Sequence, residues 1–369
     1  MINREASQDD AVLFSPVILA FPGGGDQYTD CFYAELSRQG AIVRPAQDSG
    51  RWLLRNVAGA DFAHFHWPSF HYGALTARRT IYRGLRFAAV LLLLRARGVR
   101  IIWTAHNLYP HARSSPPWVD YALRVLVCRL SALVLVHGRE AGRLVMREFG
   151  VPSSRVVVID HGHFMDYYLR DASKSEARRR LGWPEGAFVY LFIGHCKRYK
   201  NVHKLIETFQ AHCQEPDSYL AIVGSCRDAK YRAEIEAIIR RRPDRIFFEP
   251  TFVPDAEVQY FLRGADAVVL PFEDVLTSGS AILALSFGRP VVAPRLGCLM
   301  EVVREDCGVL YEAGNAHGLE HGMQAVWSRA FDESAIESRA LALRWDNSAA
   351  TVLRSLRSIL AGSGSKGSG

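Results

Sequence analysis

Short apolar runs rich in valine, isoleucine and phenylalanine recur along nearly the whole chain, separated by stretches with apolar positions at helical spacing. The strand-like runs in the first half are 12–21 (VLFSPVILAF), 41–45, 62–67 (FAHFHW), 99–107 (VRIIWTAHN), 132–138 and 156–162. They continue at 188–194, 219–224, 246–253, 267–272 and 290–294. Strands separated by helix-length segments predict parallel sheets with crossover helices. The sets of six and five predict two doubly wound domains, with a break near 163–187 marked by the charged stretch DASKSEARRRLGWPEG. AATVLRSLRSIL predicts a last helix around 348–360, with Ser348 as its cap.

A length of 369 residues suits two domains of roughly 150 to 200 residues. With 49% hydrophobic and 22% charged residues, the chain is globular rather than disordered. The tail AGSGSKGSG (361–369) reads as an expression linker, and the polar opening MINREASQDDAV as no secretory signal. Seven cysteines, without a CxxC pair or metal spacing with histidine, predict reduced thiols in a cytosolic protein and no structural zinc. The formal charge of +7 favours an acidic partner. Nucleic acid is not expected, because no recognised motif or aromatic platform accompanies the basic residues.

In open α/β sheets ligands bind beyond the carboxyl ends of the strands. The loops so placed are 22–30, 66–72, 104–111, 161–167, 194–201, 224–228, 251–255 and 272–280, and they are rich in Gly, His, Lys and Arg. In PGGGDQYTDCFYAEL (22–36), Gly23, Gly24 and Gly25 let backbone approach a ligand, and a helix starting near Gln27 or Tyr28 offers N–H donors. The dinucleotide GxGxxG is absent, and a tight turn alone would read the same way. HFHWPSFHY (64–72) and TAHNLYPH (104–111) put His66, Trp67, His106 and Asn107 at the ends of two strands expected to be neighbours. Histidine there can act as base or hydrogen-bond donor near neutral pH. The spacing is wrong for HExxH zinc and carboxylates are scarce, so no metal is expected.

GHCKRYKNV places Lys197, Arg198 and Lys200 before a helix with apolar Val202, Leu205, Ile206 and Phe209. Such cations suit a diphosphate. In LTSGSAILALSFGRPVVAP, Ser278, Gly279 and Ser280 open a helix whose N-terminal N–H groups bind anions. Held from these two sides, a nucleotide diphosphate could leave a transferred sugar with its growing charge stabilised. The segment 76–100 mixes six arginines before position 98 with a dense apolar core. It is too short and charged to span a bilayer. It reads equally as a basic amphipathic helix on an anionic membrane or as a crossover helix with snorkelling arginines.

Taken in order, HFHWP, TAHNLYPH, DHGHF, GHCKRYKNV and LTSGSAILALSFGRPVVAP resemble the GT-B glycosyltransferases near family 4. Within that group the resemblance is nearest to the family 94 exopolysaccharide mannosyltransferases of xanthan type. It implies an α/β GT-B fold of two Rossmann-like domains facing a cleft. Residues 1–165 would bind the acceptor and 166–345 the nucleotide sugar, with a helix over 346–360 packing back on the first domain. Lys200 would contact the diphosphate, with Lys197 or Arg198 in place of the usual arginine. Phe252 and Val253 would lie near the base, and Ser278, Gly279 and Ser280 would face the phosphates. Gly23, Gly24, Gly25, Tyr28, Trp67, Asn107 and His163 would contact substrate.

The donor implied is GDP-mannose, with no separate cofactor and no metal. The implied acceptor is a lipid-diphosphate-linked oligosaccharide, and the reaction inverts the anomeric carbon. Asp26, His66 and His106 are the candidate bases. The place implied is the cytoplasm, peripheral to the inner face of the cell membrane. One departure is plain: the Glu-x₇-Glu pair of family 4 is replaced by Val275 and Leu283, with Glu273 and Asp274 out of register. A retaining transferase using another nucleotide sugar, a sugar-nucleotide epimerase and a non-catalytic scaffold therefore stay open.

Overall fold

The computed structural model describes residues 15–110, 116–213 and 217–364. The polar opening, the start of the run at 12–21, His111 and the last five residues of the linker-like tail lie outside the described residues. The chain divides into two units, one of residues up to Asp160 with those from Trp345 onward, the other His161–Arg344.

The first unit holds a parallel sheet of β1 (Val17–Phe21), β2 (Ile42–Pro45), β3 (Phe62–Phe65), β4 (Arg100–Thr104), β5 (Ser131–His137) and β6 (Val156–Ile159). Their order is β2-β1-β3-β4-β5-β6, so the direction of winding reverses between β1 and β3. The inner strands are buried on both faces, as strands covered by helices on each side must be. The helix Gln27–Arg38 buries Tyr28, Phe32, Tyr33 and Leu36 at helical spacing. They pack with Ile18, Ala20 and Ile102, and with Ala349, Val352, Leu353 and Leu356 of the last helix. That helix begins at Trp345, so Ser348 is not its cap. Ser348 is buried inside the helix, and its hydroxyl donates to the Asp160 carbonyl at 2.9 Å.

The second sheet has six strands, one more than the sequence predicts. They are β7 (Phe188–Ile193), β8 (Ser218–Val223), β9 (Ile246–Glu249), β10 (Ala267–Val269), β11 (Val291–Pro294) and β12 (Gly308–Tyr311), in the order β12-β11-β10-β7-β8-β9. The winding reverses between β10 and β7. The unforeseen edge strand β12, GVLY, is too short to show a period. Its pairing rests on Gly308, where a side chain would meet the Val291 carbonyl oxygen at 2.2 Å. Nor does the charged stretch near 171–186 act as a linker. It forms the helix Lys174–Leu181 within the second unit, capped by Ser173. Arg178 is buried there, bonding Asp266 at 2.7 Å and the Gly264 carbonyl at 3.0 Å.

Candidate functional site

A reversal of strand order opens a crevice between the two flanking loops, and ligands of α/β sheets bind there. In the second unit these are the loops after β7 and β10. Ile193 pairs with Val223, and each strand then runs into a glycine of positive φ, Gly194 at 134° and Gly224 at 131°. A side chain on Gly224 would meet the Gly194 oxygen at 2.3 Å. One on Gly194 would meet Lys200 Nζ at 3.1 Å and Ser280 Oγ at 3.4 Å. Bare backbone thus lies between an ammonium and a hydroxyl.

Lys200 Nζ sits 5.8 Å and 5.4 Å from the Phe192 and Phe272 ring centres. Loss of hydrating water lowers its pKa to about 8, and the Lys197 charge adds to the effect. Burial also lowers Lys197, with Arg227 contributing. His195 is lowered by burial and then by Lys200, Lys197 and Arg227. These four make one positive group. Arg227 escapes sequence reading, although its loop was among those singled out. Arg198 is not drawn into the group: it forks onto Glu234 at 3.2 and 2.5 Å and lies over Tyr231.

On the other side of the crevice, Ser278 caps the helix Gly279–Ser286, accepting from the Ala281 N–H at 3.2 Å. Ser280 donates its hydroxyl to the Ile193 carbonyl at 3.3 Å. The Thr277 hydroxyl oxygen is buried and has no hydrogen-bond partner among the described residues. The histidine that reaches this helix start is His161, whose Nε2 lies 3.6 Å from the point where a Gly279 side chain would begin. Burial pushes its pKa down to about 4. His163 is held elsewhere, its N–H donating to the Leu343 carbonyl at 2.9 Å. Phe252 is 66% exposed on the loop after β9, beside half-buried Val253. Val275 is buried, so no carboxylate stands at that place.

In the first unit the crevice loops follow β1 and β3. Gly23 has no room for a side chain, which would lie 2.6 Å from Pro45 Cα, and Gly24 and Gly25 have positive φ. Asp26 caps the helix Gln27–Arg38, with Oδ1 accepting from the Thr29 N–H at 3.1 Å and Oδ2 from its hydroxyl at 2.7 Å. Both its oxygens are therefore committed to the cap.

His66 is buried, and a line of hydrogen bonds runs through it. Thr104 Oγ1 is 2.7 Å from His64 Nε2, and His64 Nδ1 is 3.1 Å from the Tyr33 hydroxyl. That hydroxyl is 2.8 Å from His66 Nε2, and His66 Nδ1 is 3.0 Å from His106 Nε2. Burial holds His64 at a pKa of about 3 and His66 well below its usual value, with His64, His106 and His137 adding to the latter. Both are neutral at any physiological pH, and His66 has no route to solvent.

His106, half-buried at the end of the line, stacks on Trp67 at 4.7 Å and meets the edge of Tyr28 at 4.6 Å. Asn107 is drawn aside, its Oδ1 accepting from Arg124 at 3.4 Å. The structure thus gathers His66, His106, Trp67 and Tyr28, and adds Tyr33, His64 and His137, which the sequence did not single out. Among the described residues no group of three or more His, Cys, Asp or Glu could hold a metal ion.

Residues 173–339 match the model for glycosyl transferases group 1. Over 240 residues the chain is 26% identical to the GDP-mannose:glycolipid 4-beta-D-mannosyltransferase of Xanthomonas campestris pv. campestris, covering 63% of this chain and 61% of that one. Over 295 residues it is 28% identical to D-inositol 3-phosphate glycosyltransferase 1 of Catenulispora acidiphila, covering 74% and 65%. The chain thus spans less than two thirds of the length of either relative. Its fold is similar to that of sucrose-phosphate synthase from Thermosynechococcus elongatus, with a TM-score of 0.73 at 17% identity over 95% of this chain and all of that one. Anabaena HepE, solved with UDP and glucose, gives 0.70 at 17% identity with the same coverage. The fold is GT-B, and the second unit carries a glycosyltransferase domain.

Proposed function

We propose that the protein is a glycosyltransferase that takes a hexose from a nucleoside diphosphate sugar to a glycan acceptor. The observation that carries this is Gly194, whose bare backbone separates the Lys200 ammonium from Ser280 at the helix start. Such a crevice suits a diphosphate, and the partnerless Thr277 hydroxyl beside it suits a phosphate oxygen. Lys200, Lys197 and Arg227 would neutralise the charge that grows on the departing diphosphate. His106 would take the proton of the attacking acceptor hydroxyl, and the neutral histidines behind it would keep the resulting charge at the substrate end.

The finer reading is mannose from GDP-mannose, transferred with inversion to a lipid-diphosphate-linked oligosaccharide. The likeness to the Xanthomonas mannosyltransferase and the absence of a carboxylate at positions 275 and 283 both favour it. No separate cofactor is needed. The test is thermal-shift stabilisation by GDP, UDP, ADP and dTDP, on wild type and Lys200→Ala. Stabilisation by GDP alone, lost in the variant, is the expected result. A response to UDP alone would redirect the donor, and no response to any would favour a non-catalytic scaffold.

A further inference from the structure

From Phe62 to Val119 the chain holds eight arginines and not one acidic residue. Within this span the helix Ala77–Ala96 buries Thr80, Gly84, Phe87, Leu91 and Leu94 on its inner side. It packs closely on the helix Pro117–Leu130, where a side chain at Gly84 would lie 3.1 Å from Leu123. Its outer side is not the polar surface of an ordinary crossover helix. Tyr82 and Leu85 are 69% and 68% exposed, Leu92 is exposed further along, and Arg78, Arg79 and Arg86 flank them. Leu75, just before the helix, is 93% exposed, and Trp118 and Tyr121 are exposed on the neighbouring helix. A hollow of about 590 Å³ beside Leu75 is lined by Gly73, Ala74, Arg79 and Arg83. The one carboxylate beside these arginines is Asp48, 3.4 Å from Arg86 and also bonded to His71.

We propose that this surface docks on an anionic lipid bilayer. Single apolar side chains standing out between arginines suit insertion among headgroups, where the arginines meet lipid phosphates. The hollow at Arg79 is open to a headgroup phosphate. The docking is interfacial, because no described helix is long and apolar enough to cross a membrane. Complementarity of charge selects the occupant, since a stretch devoid of acids repels nothing on such a membrane. The surface belongs to the first unit alone and does not depend on which sugar is transferred.

The test is sedimentation of the full chain with vesicles of phosphatidylcholine, alone or mixed with phosphatidylglycerol. Wild type is expected to pellet only with the mixed vesicles. Arg78→Glu/Arg79→Glu should weaken this more than about tenfold. Tyr82→Ser/Leu85→Ser should also weaken it, whereas Arg240→Glu/Arg241→Glu, exposed on the second unit, should not. Thermal melts confirm that each variant is folded. A wild type that stays in solution would overturn the proposal, and so would the control variant losing as much as Arg78→Glu/Arg79→Glu. Undiminished pelleting of the Tyr82/Leu85 variant would overturn the insertion of apolar side chains. Because nucleotide binding is read separately, failure here leaves the transferase reading untouched.

Discussion

Nδ1 of His66 lies 3.0 Å from Nε2 of His106, so the two rings share a single proton between them. Because burial keeps His66 neutral, a proton taken up at His106 stays there. His106→Ala should lower turnover by about 10² to 10⁴. Tyr33→Phe, which cuts the line behind His66, should cost less but shift the pH profile. Turnover measured against pH separates the two, and an unchanged profile in Tyr33→Phe would remove the line from the mechanism.

The same line makes the first unit acid-sensitive. The folded pKa of His64, about 3, lies below the usual 6.5, so between these values the unfolded chain binds more protons. Stability is complete above pH 6.5 and is lost as pH falls from 6.5 towards 3. The slope is up to about 1.4 kcal/mol per pH unit for one such histidine, and His66 acts in the same direction. Denaturant titrations at several pH values should show the slope become shallower in His64→Asn. An equal slope would clear this histidine of the effect.

Lys200 sets an alkaline limit instead. Its ligand-free pKa of about 8 means that a diphosphate meets the ammonium below that pH and a neutral amine above it. Affinity should hold steady to about pH 7 and then weaken above pH 8 by up to tenfold per unit. Lys200→Arg, charged throughout, should flatten the curve. Calorimetric titration of nucleoside diphosphate across this range is the check.

Gly194→Ala combines two faults: a strained backbone at φ 134° and a methyl group 3.1 Å from Lys200 Nζ. The expected outcome is a stability loss of about 1–3 kcal/mol. Nucleoside diphosphate binding should fall by at least about tenfold. Stability lost with affinity intact would place the phosphates elsewhere.

Much of this was legible in the chain, because parallel strands buried on both faces need unbroken apolar runs. The sequence marks the crevice loops too, since glycines and cations follow those runs. The spacing of His64 and His66 puts both on one side of a strand, so His64 could have been found by period alone. Tyr33 could not, because a helix delivers it from 31 positions away. Arg198 looked like a phosphate ligand until Glu234, on a distant helix, took it up. The choice of His161 over His163 likewise turns on which backbone carbonyl each meets after folding.

Ser348 donates to Asp160, and His163 donates to Leu343. Each contact joins the two points at which the chain leaves one unit and later returns. The second unit is therefore an insertion whose ends already lie together, in a host whose cut ends also lie together. A short flexible link from residue 160 to 345 should give the host unit as one chain, and residues 161–344 should stand as a separate gene product. The two halves of the protein could then be exchanged independently.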